Sequence, residues 1–295
     1  MIKYKKPILI ANWKMNHNFE SAEIWIDSFF RHFLENRHNF KQITVVVCPP
    51  ATLLDYIDGE IIDETIEEVD RVSKERNLAV SKLDEDSINR IIYEEKLLRL
   101  GSQNCHYQLS GSFTGDISLV NLQEVGCEFV IIGHSEVRQY HNEDDDIIAK
   151  KLEAVVSQEM VPIVCIGENL ETRNSNQHQQ FIAKQINNVF ANKNLKTKVI
   201  IAYEPIWAIG SGKLPTALEI GEIANLIHKE INELKTLEKV NQDLDFSVVY
   251  GGSVNSSNSQ EILEINNIDG LLIGKSSLDA EEFIQICNNI PKNLR

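Results

Sequence analysis

Eight short runs of β-branched and aliphatic residues, each bounded by turn residues and followed by a longer stretch, constrain this chain more than any other feature. They fall at 8–13, 43–48, 100–103, 129–132, 162–166, 199–203, 246–250 and 270–273. Most are apolar at successive positions rather than at alternate ones, the pattern of parallel strands covered on both faces. The stretches between them carry helical stripes. Ile147, Ile148, Lys151, Leu152 and Val155 recur at the 3.6-residue period, as do Leu218, Ile220, Ile223, Leu226, Ile227 and Ile231. Strand and helix alternating eight times predict the α/β class, as one (β/α)8 barrel spanning residues 1–295. A doubly wound open sheet is the competing arrangement of the same elements.

One segment exceeds the minimal repeat. Residues 58–98 contain 13 acidic and 6 basic side chains and two helical stripes, Ile62, Ile66, Val69 and then Ile88, Ile92. They are expected to form a charged helical insertion in the second strand-to-helix unit, a surface elaboration rather than a site of chemistry. The insertion supplies roughly half of the net charge of −15. That acidic balance argues against nucleic acid as a partner. No apolar run approaches the roughly 18 residues of a membrane span. The apolar stretch Ile8 to Ala11 is too short for the core of a signal peptide, so a cytoplasmic location is expected. The five cysteines are an odd number with no CxxC pair, and neither a metal site nor a disulfide framework is expected.

In a parallel barrel the chemistry gathers where strands end. The first run ends in Asn12, Trp13, Lys14; the fourth in Gly133, His134, Ser135, Glu136. The sixth ends in Glu204 and runs through Pro205-Ile-Trp207 to Gly210-Ser-Gly212, a candidate lid. Gly251, Gly252, Ser253 follow the seventh, and Gly274, Lys275, Ser276 the eighth. A lysine, a histidine and a glutamate thus share one rim with glycine turns whose backbone N–H groups suit an anion such as phosphate. Singly, each has an ordinary alternative: a solvated rim lysine, a helix-capping histidine, an exposed strand-end glutamate. The run Gly210-Ser-Gly-Lys213 is not a Walker loop, because its glycines are too close and Leu214 stands where Ser or Thr is required.

These motifs resemble the triosephosphate isomerase family. The matching runs are Ala11-Asn-Trp-Lys-Met-Asn16, Gln103-Asn-Cys-His106 with Thr114-Gly-Asp-Ile-Ser118, and Ile132-Gly-His-Ser-Glu136. Further on come Val164-Cys-Ile-Gly-Glu168, Ala202-Tyr-Glu-Pro-Ile-Trp-Ala-Ile-Gly-Ser-Gly212 and Tyr250-Gly-Gly-Ser-Val254. The resemblance runs from Pro7 to about Ile290 and breaks only at the insertion. It implies a TIM barrel that interconverts dihydroxyacetone phosphate and D-glyceraldehyde 3-phosphate, a cofactor-independent reaction with no metal. Carried over residue by residue, it implies Glu204 as general base, His134 as neutral electrophile, and Lys14 as the positive charge near substrate, with Asn12 a hydrogen-bond donor. It further implies phosphate contacts from Gly210, Ser253, Gly274 and Lys275, and bracing of the site by Glu136, Arg138 and Glu168. Cys165 corresponds to a buried structural cysteine. The loop 103–118, with Thr114 at its tip, implies a homodimer in which it packs beside the partner's copy of the site.

Three departures stand out: Lys275 where the family has a second glycine, Val137 where it commonly has arginine, and the insertion. Two rival readings follow from the residues. One is another sugar-phosphate barrel enzyme using Lys14 as a Schiff-base nucleophile. The other is an inactive barrel whose insertion binds a partner.

Overall fold

A computed structural model describes residues 2, 4–35, 40, 42–75, 96–196, 198–208 and 214–291. Eight parallel strands close on themselves in sequence order: β1 (Ile8–Asn12), β2 (Thr44–Cys48), β3 (Arg99–Ser102), β4 (Phe129–Ile132), β5 (Val161–Ile166), β6 (Val199–Tyr203), β7 (Phe246–Tyr250) and β8 (Gly270–Ile273). The seam pairs Ile8 with Gly270 and Ala11 with Ile273. All eight runs read from the sequence are strands, and closure excludes the open sheet.

The apolar strands divide their residues between two cores. Ile8 and Ile10, with Val46, Phe129, Ile131, Ile163, Ile200 and Val249, fill the barrel interior. Leu9 and Ala11, with Val45, Val47, Val130 and Ile201, face the surrounding helices. Both positions of the pleat are therefore dry, which is why the runs do not alternate. Ile2 and Tyr4 pack against the interior cluster, and the Tyr4 hydroxyl lies 3.3 Å from Ser247 Oγ.

The helices form the outer layer: α1 (Phe19–Glu35), α2 (Leu54–Glu75), α3 (Leu119–Glu124), α4 (Ser135–His141), α5 (Asp145–Ser157), α6 (Leu170–Asn174), α7 (His178–Phe190), α8 (Ala217–Thr236), α9 (Ser259–Leu263) and α10 (Ala280–Asn288). In α8, Ile220, Ile223, Ala224, Ile227, Ile231 and Leu234 make the buried stripe, and Thr216 with Glu219 forms a capping box at its start. Leu218, which the sequence period places in that stripe, is 87% exposed, because the stripe centres on Ile220, Ile223 and Ile227.

At the two ends of the predicted insertion Ile61 of α2 and Leu98 are fully buried in the outer core, and Lys96 donates to Asp58 at 2.9 Å, joining those ends to each other. Residues 76–95, including the stripe Ile88, Ile92, lie outside the described residues. No helix among the described residues is long and apolar enough to cross a membrane.

Candidate active site

The parallel register brings the carboxyl ends of β1, β4, β6, β7 and β8 to one rim, so the predicted lysine, histidine and glutamate meet there. Lys14 is held in an unusual backbone conformation, φ 53°. Its N–H donates to Asn12 Oδ1 at 3.1 Å, and its carbonyl accepts from Gln103 Nε2 at 2.8 Å. Gln103 also donates to the Cys48 carbonyl at 2.9 Å, which ties β1, β2 and the loop after β3 together. The Lys14 ammonium donates to Glu136 Oε1 at 2.7 Å. Gly274 lies against this lysine, where a Cβ would stand 3.4 Å from Lys14 Cε.

His134 occupies the N-cap of α4, and its Nδ1 accepts the Glu136 N–H at 3.2 Å. A ring nitrogen that accepts carries no proton, so this hydrogen bond assigns the neutral ring's proton to Nε2. Nε2 lies 3.0 Å from Glu204 Oε1. The other carboxylate oxygen, Oε2, accepts the Ser135 N–H at 2.9 Å. Glu204 is only 2% exposed, and its backbone is fixed from the neighbouring strand. Its N–H donates to the Ile166 carbonyl at 2.8 Å, and Gly167 leaves room for its carbonyl oxygen.

The electrostatics follow from this packing. Burial pushes the Glu204 carboxyl up, but His134, the Ser135 N–H and Lys14 together hold it below the ordinary carboxylate value. Burial pushes His134 down, and the facing Glu204 carboxylate raises it above the ordinary histidine value. The Glu136 N–H aimed at Nδ1 opposes a second proton on the ring. An ionised carboxylate and an Nε2–H donor thus face each other at a largely buried part of the rim, an arrangement able to move protons to and from a small molecule that parts them.

Arg138 braces the strand ends: it donates to the Gly133 carbonyl at 2.8 Å, the Cys165 carbonyl at 3.1 Å and Asp145 at 2.7 Å. Cys165 is fully buried, and that burial pushes its thiol well above the usual range. Glu168 is also fully buried, and accepts from Trp207 Nε1 at 2.8 Å and from the Tyr203 hydroxyl at 3.2 Å.

Ser253 and Lys275 are exposed on the rim. Lys275 opens a single 3-10 turn, Lys275–Ser277, and Ser277 pins that turn through its hydroxyl to the Gly274 carbonyl at 2.7 Å. Gly210, and with it residues 209–213 of the candidate lid, lies outside the described residues. Thr114 is exposed within a loop whose residues 108–116 are all exposed, Leu109 and Phe113 among them. The loop is gathered at its base, where His106 N–H donates to the Ile117 carbonyl at 2.8 Å. Among the described residues no His, Cys, Asp and Glu group of three or more is arranged to hold a metal ion.

Three contributors were not singled out from the sequence. The Ser135 N–H and Gln103 sit inside motifs but act through backbone contacts that spacing does not display. Lys151 carried a readable signal, a charged residue on a buried helical stripe. Its ammonium is buried against Glu143 and donates to Asn104 Oδ1 at 2.8 Å, anchoring the start of the exposed loop.

A family model described as Triosephosphate isomerase matches residues 7–73 and 58–290, two segments that overlap on α2 where the insertion begins. Among curated relatives, the triosephosphate isomerase of Aquifex aeolicus is 35% identical over 282 residues, covering 95% of this chain and 98% of that protein. That of Amoebophilus asiaticus is 36% identical over 292 residues, covering 97% and 100%. The crystal structure of triosephosphate isomerase from Bartonella henselae superposes with a TM-score of 0.70 at 30% identity, covering 96% of this chain and 98% of that one.

Proposed function

The chain belongs to the triosephosphate isomerase family and is an isomerase, and from that premise we propose that it works through an enediolate with Glu204 as base and His134 as electrophile. The substrates are dihydroxyacetone phosphate and D-glyceraldehyde 3-phosphate. Glu204 takes a proton from the carbon beside the carbonyl, and the electron pair moves onto the carbonyl oxygen. The His134 Nε2–H stabilises that oxygen and exchanges a proton between the two enediolate oxygens. Glu204 then returns its proton to the adjacent carbon. Nothing is gained or lost overall, so the step needs no external electron carrier.

The observation that carries this reading is the 3.0 Å approach of His134 Nε2 to Glu204 Oε1, with Glu136 N–H on the opposite ring nitrogen. A neutral ring with its proton on Nε2 has its donor where charge develops. Lys14 adds positive charge on the same rim, and Asn12, whose Oδ1 is used by the Lys14 N–H, is left with an amide donor. The Lys14 ammonium donates to Glu136, and an ammonium in an ion pair is no nucleophile, which favours the isomerase over a Schiff-base mechanism. The substrate phosphate is assigned to backbone N–H groups at Gly210, Ser253, Gly274 and Lys275, with Glu136 holding Lys14 in place.

We also propose a homodimer. The exposed loop bearing Thr114, with Leu109 and Phe113, and Met15 at 95% exposure beside Lys14, offer apolar surface next to the site. The test of function is a coupled assay of glyceraldehyde 3-phosphate conversion by the wild type and Glu204→Gln. Turnover in the wild type, lowered at least roughly 10²-fold in the variant, supports the base assignment. Equal turnover in both overturns it, and revives the inactive-scaffold reading if both are zero.

A further inference from the structure

Residues 205–208 follow β6 and residues 214–216 precede α8, and one side chain from a different helix touches Trp207 in the first stretch and Glu219, the partner of Thr216 in the second. Arg173 of α6 places its guanidinium over the Trp207 ring, 5.2 Å from the ring centroid. The same guanidinium donates to Glu219 Oε1 at 2.9 Å. Glu219 is the capping-box residue of α8, and its other oxygen accepts the Thr216 N–H at 2.8 Å and the Thr216 hydroxyl at 2.9 Å. On the Trp207 side the arrangement is closed by Glu168, which takes the indole N–H at 2.8 Å and approaches Arg173 at 3.5 Å.

We infer that Arg173 is a positioning residue for the isomerase reaction, fixing Trp207 and the start of α8 relative to one another. The inference rests on the reading of the reaction given above. Trp207 lies three residues beyond Glu204, so the ring that Arg173 covers helps set the exit of the chain from the catalytic carboxylate. Thr216 begins the helix on the far flank. The guanidinium is suited to this dual contact because its delocalised charge lies over the indole while a separate N–H of its fork donates to Glu219. Its side chain is largely buried, so the ion pair with Glu219 is only partly screened.

The test uses two readouts on the full-length protein with Arg173→Met, Arg173→Lys, Glu219→Gln and the double Arg173→Met/Glu219→Gln. The first is kcat/KM for glyceraldehyde 3-phosphate. The second is acrylamide quenching of tryptophan emission, which reports Trp207 because Trp13 and Trp25 are buried. Arg173→Met is expected to lower kcat/KM about tenfold, in line with misplacement of a reacting group rather than its loss. Arg173→Lys is expected to recover little of this, and the double variant to be no worse than Arg173→Met alone. Quenching of Trp207 should rise in each variant, with a cooperative thermal transition retained. Unchanged kcat/KM in Arg173→Met, losses that multiply in the double variant, or unchanged quenching would each overturn the inference. If the folded wild type shows no isomerase turnover, the reaction reading fails by itself, and the quenching series alone decides whether Arg173 holds the two flanks.

Discussion

Gly167 and the Glu204 carbonyl oxygen are packed so closely that a Cβ on Gly167 would stand 1.7 Å from that oxygen. The glycine at the end of β5 is therefore the space in which the backbone of the proposed base sits, and Gly167→Ala has to push Glu204 away. We expect kcat to fall by about 10²-fold with far-UV circular dichroism unchanged. Full turnover in Gly167→Ala would show that the carboxylate does not need this exact seat.

His134 also governs the charge state of Glu204. In the intact site His134 holds the Glu204 carboxyl below its ordinary value against the opposing effect of burial. Removing the ring in His134→Gln leaves burial opposed only by the Ser135 N–H and Lys14, so the Glu204 pKa rises. The acid limb of kcat/KM, which reports the free enzyme's base, is expected to move to higher pH, beside an overall loss of turnover. An acid limb that stays in place would show that the histidine does not set the state of the base.

Lys151, Glu143 and Asn104 form a largely buried polar knot at the base of the exposed loop, with Asn104 Nδ2 donating to Glu143 at 3.1 Å and Asn104 Oδ1 accepting from Lys151 at 2.8 Å. Lys151→Met removes the cation and leaves the Glu143 carboxylate buried without it, at a cost of about 3–5 kcal/mol. Urea unfolding measures the loss. Adding Glu143→Gln to Lys151→Met should return part of it, since both charges are then gone; a further loss would contradict the pairing.

The face between α1 and α2 carries like charges. Glu64 is pushed above its ordinary value by burial and then by Glu67, Asp27, Glu60 and Asp63. Its folded-state pKa exceeds the unfolded one, so its ionisation weakens the fold as pH rises from the ordinary carboxylate value through the raised one. Glu64→Gln is expected to raise the thermal midpoint at neutral pH and to flatten its fall across that window. A midpoint lowered at pH 7 would mean that Glu64 makes a net favourable contact.

The strand count, their burial on both faces and the placing of Lys14, His134 and Glu204 at strand ends were legible in the sequence. Residues a few positions apart report their own local period, and motif order follows chain order around a parallel barrel. The register of eight strands then brought Asn12, Lys14, His134 and Glu204 to one rim as expected. What spacing could not display were contacts between distant backbone atoms. The Ser135 N–H on Glu204, Gln103 bridging Lys14 and Cys48, and the seat at Gly167 depend on backbone geometry reached only after the barrel closes. The same holds for Arg173, which links Trp207 to Glu219 across 46 positions of sequence from the latter. Hydrophobic period is a local property that one segment carries alone, whereas a hydrogen bond between two loops exists only when the core has fixed their separation to within a few tenths of an ångström.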